Sequence, residues 1–198
     1  MIIYTCQNIK SLEILNSNKR FINKKFYIEE HFEDISNIFL RCYDWFVIEA
    51  SKKVKKPTDV EYPIWCSITP RNCMIPIENE IIYILDVPDD EIILFDGSKW
   101  DFVLNLRYIP LDDKDFDNYI FNLKRKGIKN EYTVFNSTDN LIEQQKIIDS
   151  WYRIFEIENS KDIYIQANIW EIKKEWIIDI VRYREDIPEK YFKRIKNR

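Results

Sequence analysis

Glycine is almost missing from this chain: Gly97 and Gly127 are the only two in 198 residues. The G-x-G-x-x-G turn of dinucleotide-binding βαβ units and the G-x-x-x-x-G-K phosphate loop both need glycines close together, so both are excluded. Histidine is scarcer still, with His31 alone. The four cysteines, Cys6, Cys42, Cys66 and Cys73, form no C-x-x-C pair. A Cys/His zinc site would have to gather scattered ligands, so no metal site is expected, and a thiol nucleophile would have only His31 as a base. Positive charge is not in excess either. The net charge is −4, which removes the footprint of tight nonspecific nucleic-acid binding but leaves room for a local basic face. No window reaches the roughly 18 apolar residues of a membrane span. The opening residues lack the basic and apolar regions of a secretory signal. These absences predict a cytoplasmic protein with reduced thiols and no membrane partner.

What is present is apolar surface. Hydrophobic residues make up 45% of the chain, enough to fill one core, and the length suits a single domain over residues 1–198. Ile2 to Cys6 is short, apolar and β-prone, so a strand is predicted. Asn8 then stands as a cap before Ile9, Leu12 and Leu15 at helical spacing. Phe21 to Glu30 is mixed and charged and predicts a loop, with an extended piece at residues 25–28. From Phe32 to Val54 the apolar residues, among them Ile35, Phe39, Cys42, Phe46 and Ala50, follow the i, i+3, i+4 rule of an amphipathic helix. Lys52 to Lys56 closes it, cations meeting the negative end of the dipole. Tyr62 to Ile68 is a strand opened by Pro63. Ile81 to Leu85 is apolar throughout and predicts a buried central strand. Val87 to Asp90 has turn chemistry, so it and the short strand Ile92 to Leu94 give a hairpin-like reading.

Asp96-Gly97-Ser98 supplies a turn and a cap for a helix with Trp100, Val103 and Leu104 inward. Phe116, Ile120 and Leu123 mark another helix, stopped by Gly127. Tyr132 to Phe135 reads as a minor strand or a loop packing its aromatics. Leu141, Ile142, Ile147, Ile148, Trp151 and Ile154 form the buried stripe of a further helix. Asp162 to Ile165 is a last strand. Ile169, Ile172, Trp176, Ile177, Ile180 and Val181 then have helical spacing and predict a C-terminal helix; residues 166–170 belong to either element. The class is α+β: a small mixed or antiparallel sheet surrounded by helices.

Six segments in order carry a resemblance: Tyr4-Thr-Cys-Gln7, Tyr43-Asp-Trp45, Tyr62-Pro-Ile-Trp65, Pro88-Asp-Asp90, Trp100-Asp-Phe-Val-Leu104 and Ile165-Gln-Ala-Asn-Ile-Trp-Glu171. Together they resemble the bacterial domain-of-unknown-function family thirty-eight forty-one over nearly the whole chain. A second, more local likeness concerns chemistry. The opening strand with Tyr4-Thr5, the Pro70-Arg71-Asn72-Cys73-Met74 segment, the Asp96-Gly97-Ser98 turn and Gln166-Ala167 are similar to segments of DarT-like ADP-ribosyltransferases. That resemblance implies an ADP-ribosyltransferase-like fold, NAD as co-substrate, and a nucleic acid or protein as acceptor, in toxin–antitoxin or phage-conflict settings. It implies cofactor contacts at Tyr4, Thr5, Arg71 and Gln166. The chain departs from the pattern twice: its first strand carries no histidine, and Asn168 stands where a catalytic glutamate would follow Gln-Ala. Glu171, three residues on, is the carboxylate that remains for catalysis.

The chemistry asks for few parts. Cleaving the nicotinamide–ribose bond builds oxocarbenium character, which a fixed carboxylate stabilises. A guanidinium fork pairs with the pyrophosphate, and an aromatic face stacks on nicotinamide. Glycine loops and metals are not required. Each candidate has a plainer reading beside it. Arg71 suits a surface pair with Glu78 or Glu80. Glu171 suits the solvated face of a last helix, and Tyr4 suits the core. Asp89-Asp90-Glu91 suits a solvated turn. The function read first is therefore the NAD-dependent transferase; the alternative is a nucleotide- or partner-binding module of the same fold without turnover, and a third reading is an interaction protein whose Trp- and Phe-rich helical faces bury a partner. The transferase reading predicts that Tyr4, Arg71 and Glu171 line one cleft.

Overall fold

The computed structural model describes residues 1–25, 36–157 and 164–193. Two compact units divide the chain, Met1–Leu94 with Ile165–Arg198, and Phe95–Tyr164.

The first unit is built on a six-stranded sheet. Its strands are β1 (Ile2–Asn8), β3 (Ile64–Ser67), β4 (Glu80–Asp86), β6 (Ile165–Ile169) and β8 (Ile177–Arg182), with the edge strand β5 (Ile93–Asp96) running past the Leu94 boundary, in the order β5-β6-β3-β1-β4-β8. The registers β1–β3, β1–β4, β3–β6 and β4–β8 are all antiparallel, in agreement with the predicted α+β class. Two short strands, β2 (Arg20–Ile22) and β7 (Glu171–Lys173), pair separately. The apolar run of β4 is explained by its place between β1 and β8. Ile81, Tyr83 and Leu85 join Ile3, Ile64, Ala167 and Ile169 on one face. Ile82 and Ile84 join Tyr4, Val181 and Tyr191 on the other. Each such side chain fully removed from water contributes about 1.5–3 kcal/mol. Helix α1 (Ser11–Asn18) buries Ser11 and Leu15, and the Ser11 hydroxyl lies 2.7 Å from that of Tyr83. Helix α2 (Ser36–Ser51) lays Tyr43 and Phe46 on Trp65 of β3, with ring centroids 5.4 and 5.5 Å apart.

The second unit is helical: α3 (Gly97–Leu104), α4 (Asp113–Arg125) and α5 (Leu141–Ser150), with 3-10 turns at Glu131–Asn136, Thr138–Asn140 and Trp151–Phe155. Asp96 caps α3 by accepting from the amides of Ser98 and Lys99 at 2.9 and 3.2 Å. Asp112 caps α4 through the Asp115 amide at 2.7 Å. Gly127, at φ 75°, ends α4. There the Gly127 amide donates to Lys124 and that of Ile128 to Leu123, the paired bonds of a left-handed helix stop. Trp151, Val103, Val134, Ile147 and Ile154 make the core.

Several expectations are corrected. β4 and β5 do not form a hairpin, because β1, β3 and β6 stand between them. The C-terminal helix is instead β7, a 3-10 turn at Lys174–Trp176, and β8. Four of the five residues from Ile177 to Val181 are β-branched, which favours a pleated surface over a helix. Residues 165–169 are strand. Arg20–Ile22 within the expected loop is also strand, and Tyr132 to Phe135 lies in a 3-10 turn. Leu141 and Ile142 face out, and Glu143 and Ile147 face in. His31, the extended piece at 26–28, the helix start at 32–35 and the strand residues 162–163 lie outside the described residues.

Candidate functional site

Strand β3 is the ruler on which the expected site can be read. Its Ser67 stands opposite both Tyr4 of β1 and Gln166 of β6. Its Trp65 stands opposite Asn168. Side chains alternate between faces, so Tyr4, Trp65, Ser67, Gln166 and Asn168 share one face of the sheet. Tyr4 and Ser67 are buried and Gln166 is half-buried. The Ser67 hydroxyl donates to the Asn72 carbonyl at 2.7 Å, which ties the 70–76 loop to this face, and Cys73 of that loop packs with Tyr4.

Asn168 is the exceptional member. It is 0% exposed, and neither its Oδ1 nor its Nδ2 has a hydrogen-bond partner. A buried polar group left unpaired costs about 1–3 kcal/mol, so such groups are rare in folded proteins. The expectation of a glutamate at this position rested on the transferase resemblance alone. Nothing in the sequence announced that the amide would be buried and unsatisfied, nor that Trp65 would stand opposite it.

Thr5 belongs to the opposite face. Its hydroxyl is 2.8 Å from the Trp65 carbonyl, to which it donates, and it accepts from Gln7 Nε2 at 2.8 Å. Adjacent strand residues cannot both meet one ligand on one face, so Tyr4 and Thr5 are not brought together. Arg71 is exposed in the 3-10 turn Pro70–Asn72. It lines a cleft of about 400 Å³ with Cys73, Met74, Ile82 and Glu185.

Glu171 sits elsewhere. It is 9% exposed on β7 and accepts from Arg20 Nε, with Lys173 Nζ 3.6 Å away. Arg20 also holds Asp59 at 2.7 Å. Glu171 lines a separate cleft of about 420 Å³ with Lys55, Lys56, Asp90 and Glu91. The register explains the separation. Ile169, two residues before Glu171, pairs with Ile64 at the start of β3, and Arg71 follows Ser67 at its end. Four strand residues at about 3.3 Å each already set the two apart. The expected meeting of guanidinium and carboxyl across one cleft is therefore not what this fold builds.

The thiols offer no nucleophile. Burial pushes Cys6, Cys42 and Cys73 up to about 12 and raises Cys66 as well. All four remain protonated at neutral pH and hence inert. Among the described residues, no helix is long and apolar enough to cross a membrane.

A family model described as a domain of unknown function, DUF3841, matches residues 2–178. No curated protein and no solved structure matches the chain.

Proposed function

The chain belongs to the DUF3841 family, and from that premise we propose that it is a nucleotide-binding module without turnover, holding an NAD-class ligand against the sheet face of Tyr4, Gln166 and Asn168. One observation carries this reading: the fully buried Asn168 amide with neither of its polar atoms paired. A primary amide presents a donor and an acceptor side by side. It can pair edge to edge with the carboxamide of nicotinamide, or with the amine and ring nitrogen of adenine as asparagine does in nucleic-acid recognition. It cannot supply the negative charge that an oxocarbenium transition state needs. The nearest carboxylate along the chain, Glu171, is committed to Arg20 and Lys173.

Thermal unfolding with NAD, ADP-ribose and AMP tests the reading. A ligand at about 100 times its dissociation constant adds about 2.7 kcal/mol of stability. The wild type should shift and release no nicotinamide. Asn168→Leu should be as stable as wild type or more so without ligand, because it removes an unpaired buried group, and should lose the shift. Retention of the full shift by that variant would overturn the proposal. The runner-up is an NAD-dependent ADP-ribosyltransferase acting on a nucleic acid or protein acceptor. It is supported by the shared face of Tyr4 and Gln166. Nicotinamide release, abolished by Glu171→Gln, would establish it instead.

A further inference from the structure

The helical unit holds a cleft of its own. It has a volume of about 310 Å³ and includes Asn118, Tyr119 and Asn122 of α4, and Lys146, Asp149 and Arg153 on the other side. That size falls at the small end of ligand sites. The aromatic wall is preorganised. Tyr108 and Tyr119 stack with centroids 4.2 Å apart and planes 18° apart. The Tyr108 hydroxyl donates to Asp115 at 3.0 Å. Arg153 lies over the Tyr108 ring at 5.4 Å, 3.6 Å from Asp115, and donates to the Ile109 carbonyl.

A second, independent observation points to a ligand. Tyr119 is 6% exposed, and its hydroxyl has no hydrogen-bond partner. Burial first, then Glu131, Glu143 and Tyr108, push its pKa upward, so the proton stays and the group is a donor awaiting an acceptor.

The charges lining the cleft cancel: Lys146 and Arg153 against Asp115 and Asp149. No net field selects an anion or a cation. Carboxylate acceptors instead share the lining with amide and cationic donors. A hydroxyl group donates and accepts at once, so adjacent hydroxyls match such a lining where a lone phosphate or ammonium does not. We propose that this cleft binds a neutral polyhydroxylated ligand, recognised through adjacent hydroxyls, whether a free monosaccharide or the ribose of a nucleoside.

Calorimetric titration of the full chain with D-glucose, D-ribose, adenosine and 2′-deoxyadenosine tests this and separates the two sources. Binding of a free sugar, or of adenosine with at least tenfold loss on removing the 2′-hydroxyl, is the expected result. Tyr119→Phe deletes only the unpaired hydroxyl, and Asn122→Ala alters an exposed amide. Each should weaken binding about tenfold while the unliganded unfolding midpoint stays level or rises. Silence from all four compounds, equal binding of adenosine and its deoxy form, or variants within twofold of wild type would overturn the proposal. Asn168→Leu should leave these affinities unchanged, so this site and the sheet face succeed or fail separately.

Discussion

The sheet unit fills both faces of β4 with apolar side chains, Ile81 to Leu85 being at most 3% exposed, whereas the helical unit buries Glu131 and Glu143 to 4% and 3% and leaves Leu141 and Ile142 64% and 71% exposed. The contrast follows from what each secondary structure can cover. A strand between two others, packed on both faces, removes every side chain from water. A short helix covers one stripe, and here α5 gives part of that stripe to a carboxylate. Glu131 is held by Arg107 Nε at 2.6 Å. Glu143 is held by Lys126 and by Lys146, the latter at 3.2 Å. Buried ion pairs recover little beyond their desolvation cost. The sheet should therefore be stabilised mainly by burial, whereas the helical unit should be sensitive to loss of either member of a pair, which strands the other charge in the interior.

Leu85→Ala probes the first half of that contrast and should have the largest effect. Leu85 is 0% exposed, and truncating such a residue costs about 2–5 kcal/mol. Denaturant unfolding followed through hydrogen exchange would place the loss in the β1, β4 and β8 amides. A cost below about 1 kcal/mol would mean that the sheet core repacks freely and the contrast is overstated.

Glu143→Gln probes the second half. It keeps the shape and deletes the charge, forfeiting charge-assisted hydrogen bonds worth roughly 1–3 kcal/mol. Its pH signature is the sharper readout. Burial pushes the Glu143 carboxyl up, but hydrogen bonds from Lys126 and Lys146 outweigh it and leave the carboxyl below its ordinary 4.5. A lowered pKa in the folded state gives stability that is present above the unfolded value and lost as pH falls through the folded one. Wild type should therefore weaken below about pH 4.5, and the glutamine variant should lose that share of its acid sensitivity. Identical acid limbs for the two proteins would remove charge as a support of this unit. Asp96→Ala should cost less, about 1 kcal/mol, because it deletes one helix cap; the loss would be read as faster exchange at the start of α3.

The same contrast explains what could be read from the sequence. β1 and β4 were legible because their apolar runs are local and fully buried. The partner of β5 was not, since turn chemistry at Val87–Asp90 fixes where the chain bends and not which strand it joins; β6, some seventy residues later in the chain by the order of pairing, is the neighbour. The spacing of Ile169, Ile172, Trp176 and Ile180 imitates a helix because three short strands and a 3-10 turn follow one another. The β-branched density of Ile177 to Val181 was the better signal. For the site, residues 166–170 read as either strand or helix, so the shared face of Gln166 and Asn168 emerges only from their register with β3. The chain's break at Trp170, whose indole donates to the Val54 carbonyl at 2.9 Å, is a tertiary event that sends Glu171 to β2 and Arg20. No local pattern announces it. Tyr119 was equally hidden, because periodicity around Phe116, Ile120 and Leu123 draws attention to the residues beside it.

Leu141→Ala should have the smallest effect and is the cleanest check on the contrast, since it repeats the chemistry of Leu85→Ala at a position periodicity marks as core. Leu141 is 64% exposed at the first turn of α5, so little area returns to water when it is cut back. Alanine also has the better helix propensity, by a few tenths of a kcal/mol at most. The two terms oppose each other, and the net change should stay within about 0.5 kcal/mol. A loss of 2 kcal/mol or more would mean that Leu141 is covered in solution, by a second copy or another part of the fold. The helical unit would then be apolar at its centre after all, with Glu143 an exception within it.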